Sequence, residues 1–210
     1  MDVSNIQFTK AELRILTYLF KHYNDELNSR TIARLLGINH AHTNKLCQSL
    51  VNKSLLTIKS LGNANYYSFA YASPSAISFM TYLLSIEARY APSWLTVPIH
   101  SLQKFNQHIE LGIIFGSSIH NKQHHDIDVL LMYEPDQSKN TRSIKQAIQR
   151  SQLITKPVRY VDITPVDILT NKDNPAFYSM LSENIIFHNP ETYVRVVQQC
   201  LKSKNTSNGA

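Results

Sequence analysis

The sequence predicts an α+β protein in two parts: a small helical unit closed by a β-hairpin, then a larger α/β unit organised on a mixed sheet. Three observations predict it. Residues 9–53 carry apolar positions at helical spacing in three successive segments, and two short β-branched or aromatic runs follow them. Ala72-Ser73-Pro74-Ser75 then breaks the pattern. From Leu111 onward, apolar runs of strand length alternate with helical segments, the pattern of strands joined through helical crossovers. We read residues 1–75 as the first unit, 76–92 as a helical linker, 93–203 as the second unit and 204–210 as a disordered polar tail.

At 210 residues, 43% of them apolar, the chain is long enough for two small cores. Its net charge of +6 is unevenly placed. Residues 1–75 hold 8 Lys and Arg against 4 Asp and Glu, residues 76–140 hold 4 against 6 and residues 141–210 hold 9 against 5, so the front is basic and the aspartate region is not. The overall balance suggests contact with nucleic acid or nucleotides or else a solvated basic surface. Cys47 and Cys200 are isolated and lie in helical patterns, which points to core thiols rather than a disulfide or zinc site. The N-terminus, MDVSNIQFTK, lacks a basic start and an apolar signal core, and no run approaches the roughly 18 apolar residues of a membrane span. A cytoplasmic protein with no membrane contact is expected.

In the first unit, Thr9 is placed to cap a helix whose Leu13, Leu16, Leu19 and Phe20 share a face, ending near Asn24-Asp25. Asn28 or Ser29 caps a short second helix with Ile32, Leu35 and Leu36 inward and Gly37 at its C-terminal turn. A third helix runs from Asn39 or His40 to Lys53 and buries Ala41, Leu46 and Leu50, with Cys47 beside them. Residues 55–59 and 66–69 pair as a hairpin around Leu61-Gly62-Asn63-Ala64-Asn65.

Short helix, Gly turn, polar-faced helix and hairpin together resemble the winged helix-turn-helix DNA-binding domain over about residues 8–72. The resemblance implies double-stranded DNA as a partner, with the third helix in the major groove. The exposed candidates are His40, His42, Thr43, Asn44, Lys45 and Gln48, with Lys59 and Asn63 in the wing. The amides of Asn44 and Gln48 suit adenine, and Lys45 suits phosphate or guanine. Domains of this kind also serve in dimerisation and protein docking, and that alternative stays open.

Residues 77–89 read as an amphipathic helix through Ile77, Met80, Leu83, Leu84 and Ala88, packing on a core or on a second copy in a homodimer. A helical segment near residues 95–107, interrupted at Pro98, leads to Leu111. There an almost wholly apolar run, Leu111 to Phe115, has the pattern of a strand buried on both faces and stops at Gly116-Ser117-Ser118. Gly116 permits a sharp bend and close approach to a ligand, and the serines offer hydroxyl and N–H groups to phosphate oxygens. A second apolar run begins at Asp126. Because side chains alternate along a strand, Asp126 and Asp128 share a face roughly 7 Å apart, and their mutual repulsion calls for a divalent cation with oxygen ligands, Mg²⁺ above all.

Gly116-Ser117 at a strand end followed by Asp126-Ile127-Asp128 on the next strand resembles the DNA polymerase beta-like nucleotidyltransferase superfamily, and most nearly its minimal members, over about residues 93–200. The resemblance implies a third carboxylate on a later strand, for which Asp162 in VRYVDI is the match, while Asp167 reads as a helix start. It also implies Mg²⁺ (or Mn²⁺) on Asp126, Asp128 and Asp162, and a nucleoside triphosphate, ATP among them, on Gly116, Ser117, Ser118 and Lys122. Arg159 is a further phosphate candidate. The chain departs from many minimal members in having Ile119-His120-Asn121-Lys122 after Gly-Ser and His125 before Asp126.

The implied reaction moves a nucleoside monophosphate from the triphosphate to a hydroxyl of a protein, an RNA end or a small molecule. The competing reading is a DNA-binding regulator or antitoxin in which the second unit is a degenerate sensor or interaction module, and an RNase toxin as partner protein fits either reading by family resemblance. His120, His124 and His125 crowd the loop before Asp126 and read as solvated.

Overall fold

The computed structural model describes residues 7–151 and 153–207; residues 1–6, on which most of the N-terminal reading rests, lie outside the described residues. The chain is α+β and divides into two compact units, one up to Met80 and one from Thr81, a division inside the stretch read as a linker. Among the described residues no helix is long and apolar enough to cross a membrane.

The first unit holds helices α1 (Lys10–Lys21), α2 (Ser29–Leu36) and α3 (His40–Asn52), and strands β1 (Leu27–Asn28), β2 (Leu56–Leu61) and β3 (Ala64–Phe69). α1 starts where Thr9 and Glu12 form a reciprocal capping box. α2 starts at the Asn28 cap, whose side chain accepts from the Thr31 N–H, and stops at Gly37, whose φ of 63° is open to glycine at little cost. The hairpin turn is tighter than expected, only Gly62-Asn63 between β2 and β3. β1, too short to show any periodicity, pairs antiparallel with β3, giving the order β1-β3-β2.

Three helix-face expectations need correction. Leu35 is exposed and Ala33 is buried instead, so the inward face of α2 runs through Ile32 and Ala33. Ala41 is exposed, and Thr43 is fully buried with its hydroxyl donating to the Asn39 carbonyl at 2.9 Å. The buried face of α3 is therefore Thr43, Leu46, Cys47 and Leu50. Burial pushes the Cys47 thiol up to about 12, as befits an inert core thiol.

Helix α4 (Pro74–Glu87) carries the chain into the second unit, where short 3₁₀ turns and α5 (Thr96–Leu102) precede β4 (Leu111–Phe115). β5 (Ile127–Met132) pairs antiparallel with β4, and α6 (Ser138–Arg150) crosses over to β6 (Val158–Ile163), which pairs parallel with β5. α7 (Pro165–Asn171), α8 (Pro175–Ser182), β7 (Asn184–His188) and α9 (Pro190–Ser207) follow. The mixed sheet has the order β6-β5-β4-β7. α7 opens with a capping box between Thr164 and Asp167, as read for Asp167. α9 extends the helix to Ser207, into the stretch expected as a disordered tail, and residues 208–210 lie outside the described residues.

One face of this sheet packs Ile114, Ile127, Val129, Leu131, Ile185 and Phe187 against Leu95, Ile99, Leu102, Phe105 and Ile148. Gly112 is essential to that layer: a Cβ there would lie 2.3 Å from the Phe187 ring. β5 is buried almost throughout and correspondingly apolar, and the one polar side chain within it is Asp128.

Candidate functional site

The end of β4 and the start of β5 are brought together by antiparallel register, which sets Phe115 opposite Asp128. At the next residue the chain must leave the sheet. Gly116 does so with φ +75°, and a Cβ in its place would sit 2.6 Å from Asp128 Oδ2. Glycine is required here for conformation and for space. The chain then coils into a 3₁₀ turn, Gly116–Ile119, that stands directly over the aspartate.

Asp126 and Asp128 lie on the same side, as alternation predicts, although β5 proper begins at Ile127. Burial raises the carboxyl of Asp128 above its ordinary range, the charge of Asp126 raises it further, and Arg159 opposes both. Parallel register sets Arg159 beside Asp128, and Arg159 Nε lies 2.8 Å from Asp126 Oδ2. The Asp126 side chain is only 13% exposed, whereas that of Arg159 is 72% exposed.

Asp162 is not brought to this pair. The β5–β6 register sets it beside Leu131, so it points to the opposite face of the sheet from Asp128. There it is ion-paired with Lys145 of α6, whose ammonium also lies 4.9 Å from the centre of the Tyr160 ring. The expected three-carboxylate set is corrected to two carboxylates and a guanidinium, and among the described residues no group of three His, Cys, Asp or Glu is placed to hold a metal ion. The donor set still fits one Mg²⁺, which characteristically takes one or two carboxylates and completes its shell with water and phosphate oxygens. It does not fit a second ion shared through Asp162.

The remaining predicted ligands divide. Gly116 and Ser117 are exposed at the turn, whereas Lys122 is exposed farther along the loop, lining a separate cleft with Trp94 and Ile127. Ser118 is buried, its hydroxyl donating inward to the Phe115 carbonyl and its own carbonyl accepting from Trp94 Nε1 at 2.9 Å, so its side chain is withdrawn from any ligand at the turn. Of the loop histidines, His120 stands 3.6 Å from Glu183, and His124 is buried rather than solvated, bonded to the Asn121 carbonyl at 2.8 Å.

In the first unit, His40, His42, Asn44 and Lys45 are exposed on α3, while the buried Thr43 leaves the set. Tyr67 donates to Asn44 Oδ1 at 3.1 Å and accepts from Gln48 Nε2 at 3.0 Å, so a single buried phenol holds both candidate base-reading amides. Lys59 in β2 is exposed, 3.8 Å from Glu26. Asn44, His40 and Asn63 also share a polar cleft of about 360 Å³ with Arg30, Ser29 and Asn65. Sequence reading missed Arg30, although it follows the Asn28 cap and so sits in the first turn of α2.

Fold and site together define an α+β protein of two units, the second carrying a carboxylate pair against a glycine turn on a mixed sheet. Comparison with protein-family models, curated proteins and solved structures returns no match, so what the site does rests on its own residues.

Proposed function

We propose that the chain is a metal-dependent nucleotidyltransferase joined to a DNA-binding winged helix. One observation carries this reading: the Gly116 turn and the Asp126/Asp128 pair, each unremarkable alone, meet within contact distance on adjacent strands. A two-carboxylate site crowded by a turn with one exposed serine, Ser117, suits the triphosphate of a nucleotide. The mixed order of β4, β5 and β6, and three helices followed by a hairpin in the first unit, support the same resemblance.

On this reading Asp126 and Asp128 hold Mg²⁺, which when bound neutralises triphosphate charge and favours attack at phosphorus. Ser117 and the backbone of the Gly116 turn orient the outer phosphates. Arg159, exposed and tethered to Asp126, offers a planar guanidinium to a phosphate oxygen on the same face. The acceptor is a hydroxyl of a protein, an RNA end or a small molecule. The exposed α3 residues His40, His42 and Lys45, with Lys59 in the hairpin, contact DNA, chiefly its phosphates.

A second reading has a specific observation in its favour. Asp162, the third carboxylate that the resemblance implies as a metal ligand, faces the other side of the sheet in an ion pair with Lys145. A DNA-binding regulator or antitoxin whose second unit binds nucleotide without turning it over accommodates that placement.

Incubation with each labelled nucleoside triphosphate and Mg²⁺ or Mn²⁺, with protein and RNA acceptors, separates the two. Pyrophosphate release and label transfer that vanish in Asp126→Ala/Asp128→Ala support the enzyme. Nucleotide binding with no release of pyrophosphate under any acceptor supports the regulator.

A further inference from the structure

The second unit contains a cleft of about 330 Å³ that the carboxylate pair does not use. It lies between the start of α5, the loop before Asp126 and the loop leading into β6. Ile127 forms part of its lining, and because side chains alternate along β5, that wall belongs to the face opposite Asp128. The volume is within the range of small-molecule sites, at its lower end.

Its lining combines two kinds of group. Trp94, Val97, Ile127 and Leu153 give apolar walls, and Val97 and Leu153 leave 48% and 68% of their surface in water, an exposure that an apolar occupant would relieve. Lys122 and Lys156 supply the charge, and among the described residues no carboxylate lines the cleft. Lys156 donates to the His124 carbonyl, and Lys122 has no ion-pair partner among the described residues. A cavity with aromatic and aliphatic walls and two ammonium groups selects a flat apolar body bearing negative charge.

We propose that this cleft is a second ligand site, which takes a small aromatic anion of the nucleoside monophosphate class. The base lies against Trp94 and the apolar wall, and the phosphate reaches Lys122 and Lys156. The site is also coupled to the first. Trp94 Nε1 is bonded to the Ser118 carbonyl, so an occupant stacked on the indole bears on the Gly116–Ile119 turn above Asp128. The coupling, though not the binding, rests on the reading of that turn as nucleotide-facing.

Trp94 is the chain's one tryptophan, so its fluorescence reports this cleft directly. The full chain is titrated with AMP, GMP, CMP and UMP, and separately with adenosine and with inorganic phosphate. The account expects a saturable change with at least one nucleoside monophosphate and a much weaker response to nucleoside or phosphate alone. The exposed Lys122 is replaced without disturbing the core, and Lys122→Ala raises the midpoint roughly tenfold, the loss of one charge-assisted contact. Asp126→Ala/Asp128→Ala keeps a saturable response, whatever the shift in its midpoint, so the binding test stands apart from the nucleotidyltransferase reading. Absence of a saturable response to all four nucleotides overturns the proposal. So does a response lost in the aspartate variant and kept in Lys122→Ala, or one that inorganic phosphate reproduces in full.

Discussion

Arg159 Nε lies 2.8 Å from Asp126 Oδ2, so the cation on the neighbouring strand partly neutralises the carboxylate pair. Removing it leaves Asp126 and Asp128 facing each other unrelieved. Arg159→Ala is therefore expected to gain more thermal stability from Mn²⁺ than the parent chain does, while binding nucleoside triphosphate more weakly through loss of a phosphate contact. Melting with and without Mn²⁺, together with triphosphate titration, checks both signs. Equal Mn²⁺ shifts in the two proteins would show that Arg159 plays no part in balancing the pair.

Two glycines on the same strand path give contrasting tests. Gly116→Ala puts a Cβ 2.6 Å from Asp128 Oδ2 at a φ of +75°, combining left-handed strain with displacement of the site carboxylate. It should cost about 1–2 kcal/mol from the backbone alone and abolish metal-dependent nucleotide binding. Gly112→Ala instead drives a methyl into the Phe187 ring and should cost about 1–3 kcal/mol as overpacking, leaving binding intact in the folded fraction. Denaturant melts and binding measured on both variants separate packing from chemistry.

Glu12 organises the first unit and predicts its acid response. Burial alone would raise its carboxyl, but hydrogen bonds from Lys53, the Thr9 N–H and Ser49, with the Lys53 charge, hold it down at about 2. A depressed folded-state pKa contributes stability that is present above the ordinary glutamate range and fades as pH falls from about 4.5 towards about 2. Hydrogen exchange of α1 and α3 amides between pH 5 and pH 3 should accelerate in the parent chain relative to Glu12→Gln, once intrinsic rates are corrected. Parallel pH profiles would remove Glu12 from the account.

In the first unit, the buried Tyr67 hydroxyl holds Asn44 and Gln48 in place. DNA binding is therefore expected to depend more on cations than on these amides. Lys45→Ala should weaken binding about equally across sequences and lower the salt slope by about 1, and Arg30→Ala should do the same. Tyr67→Phe should release the amides and change base preference. A salt-independent affinity, or none, would return the unit to protein docking.

The legible parts of the sequence were those set by local rules. The Thr9 and Asn28 caps, the helix start at Asp167, the Gly37 stop and the pairing of the Asp126/Asp128 face all follow from neighbours within a few residues. Thr43 was legible too, since it shares the spacing of Leu46, Cys47 and Leu50. Its polarity misled, because its hydroxyl satisfies itself on the preceding helical turn. β1, two residues long, gains its strand conformation only by pairing with Tyr66 and Tyr67. Asp162 shows the harder limit. Alternation fixes faces within a strand, but the face of one strand relative to another depends on register. The pairing of Leu131 with Asp162 is set by the α6 crossover and no local pattern encodes it. Trp94 and Lys156, distant in sequence, became neighbours of one cleft for the same reason.

The most direct test of the central claim is calorimetric titration of the full chain with a triphosphate carrying a non-hydrolysable α–β bridge, in Mn²⁺ and in EDTA, for the parent protein and Asp128→Asn. The account predicts binding in the parent chain that requires Mn²⁺ and is lost in Asp128→Asn, with the fold intact by circular dichroism. Binding of equal strength in the variant, or binding indifferent to EDTA, would contradict it and move the nucleotide away from the Gly116 turn.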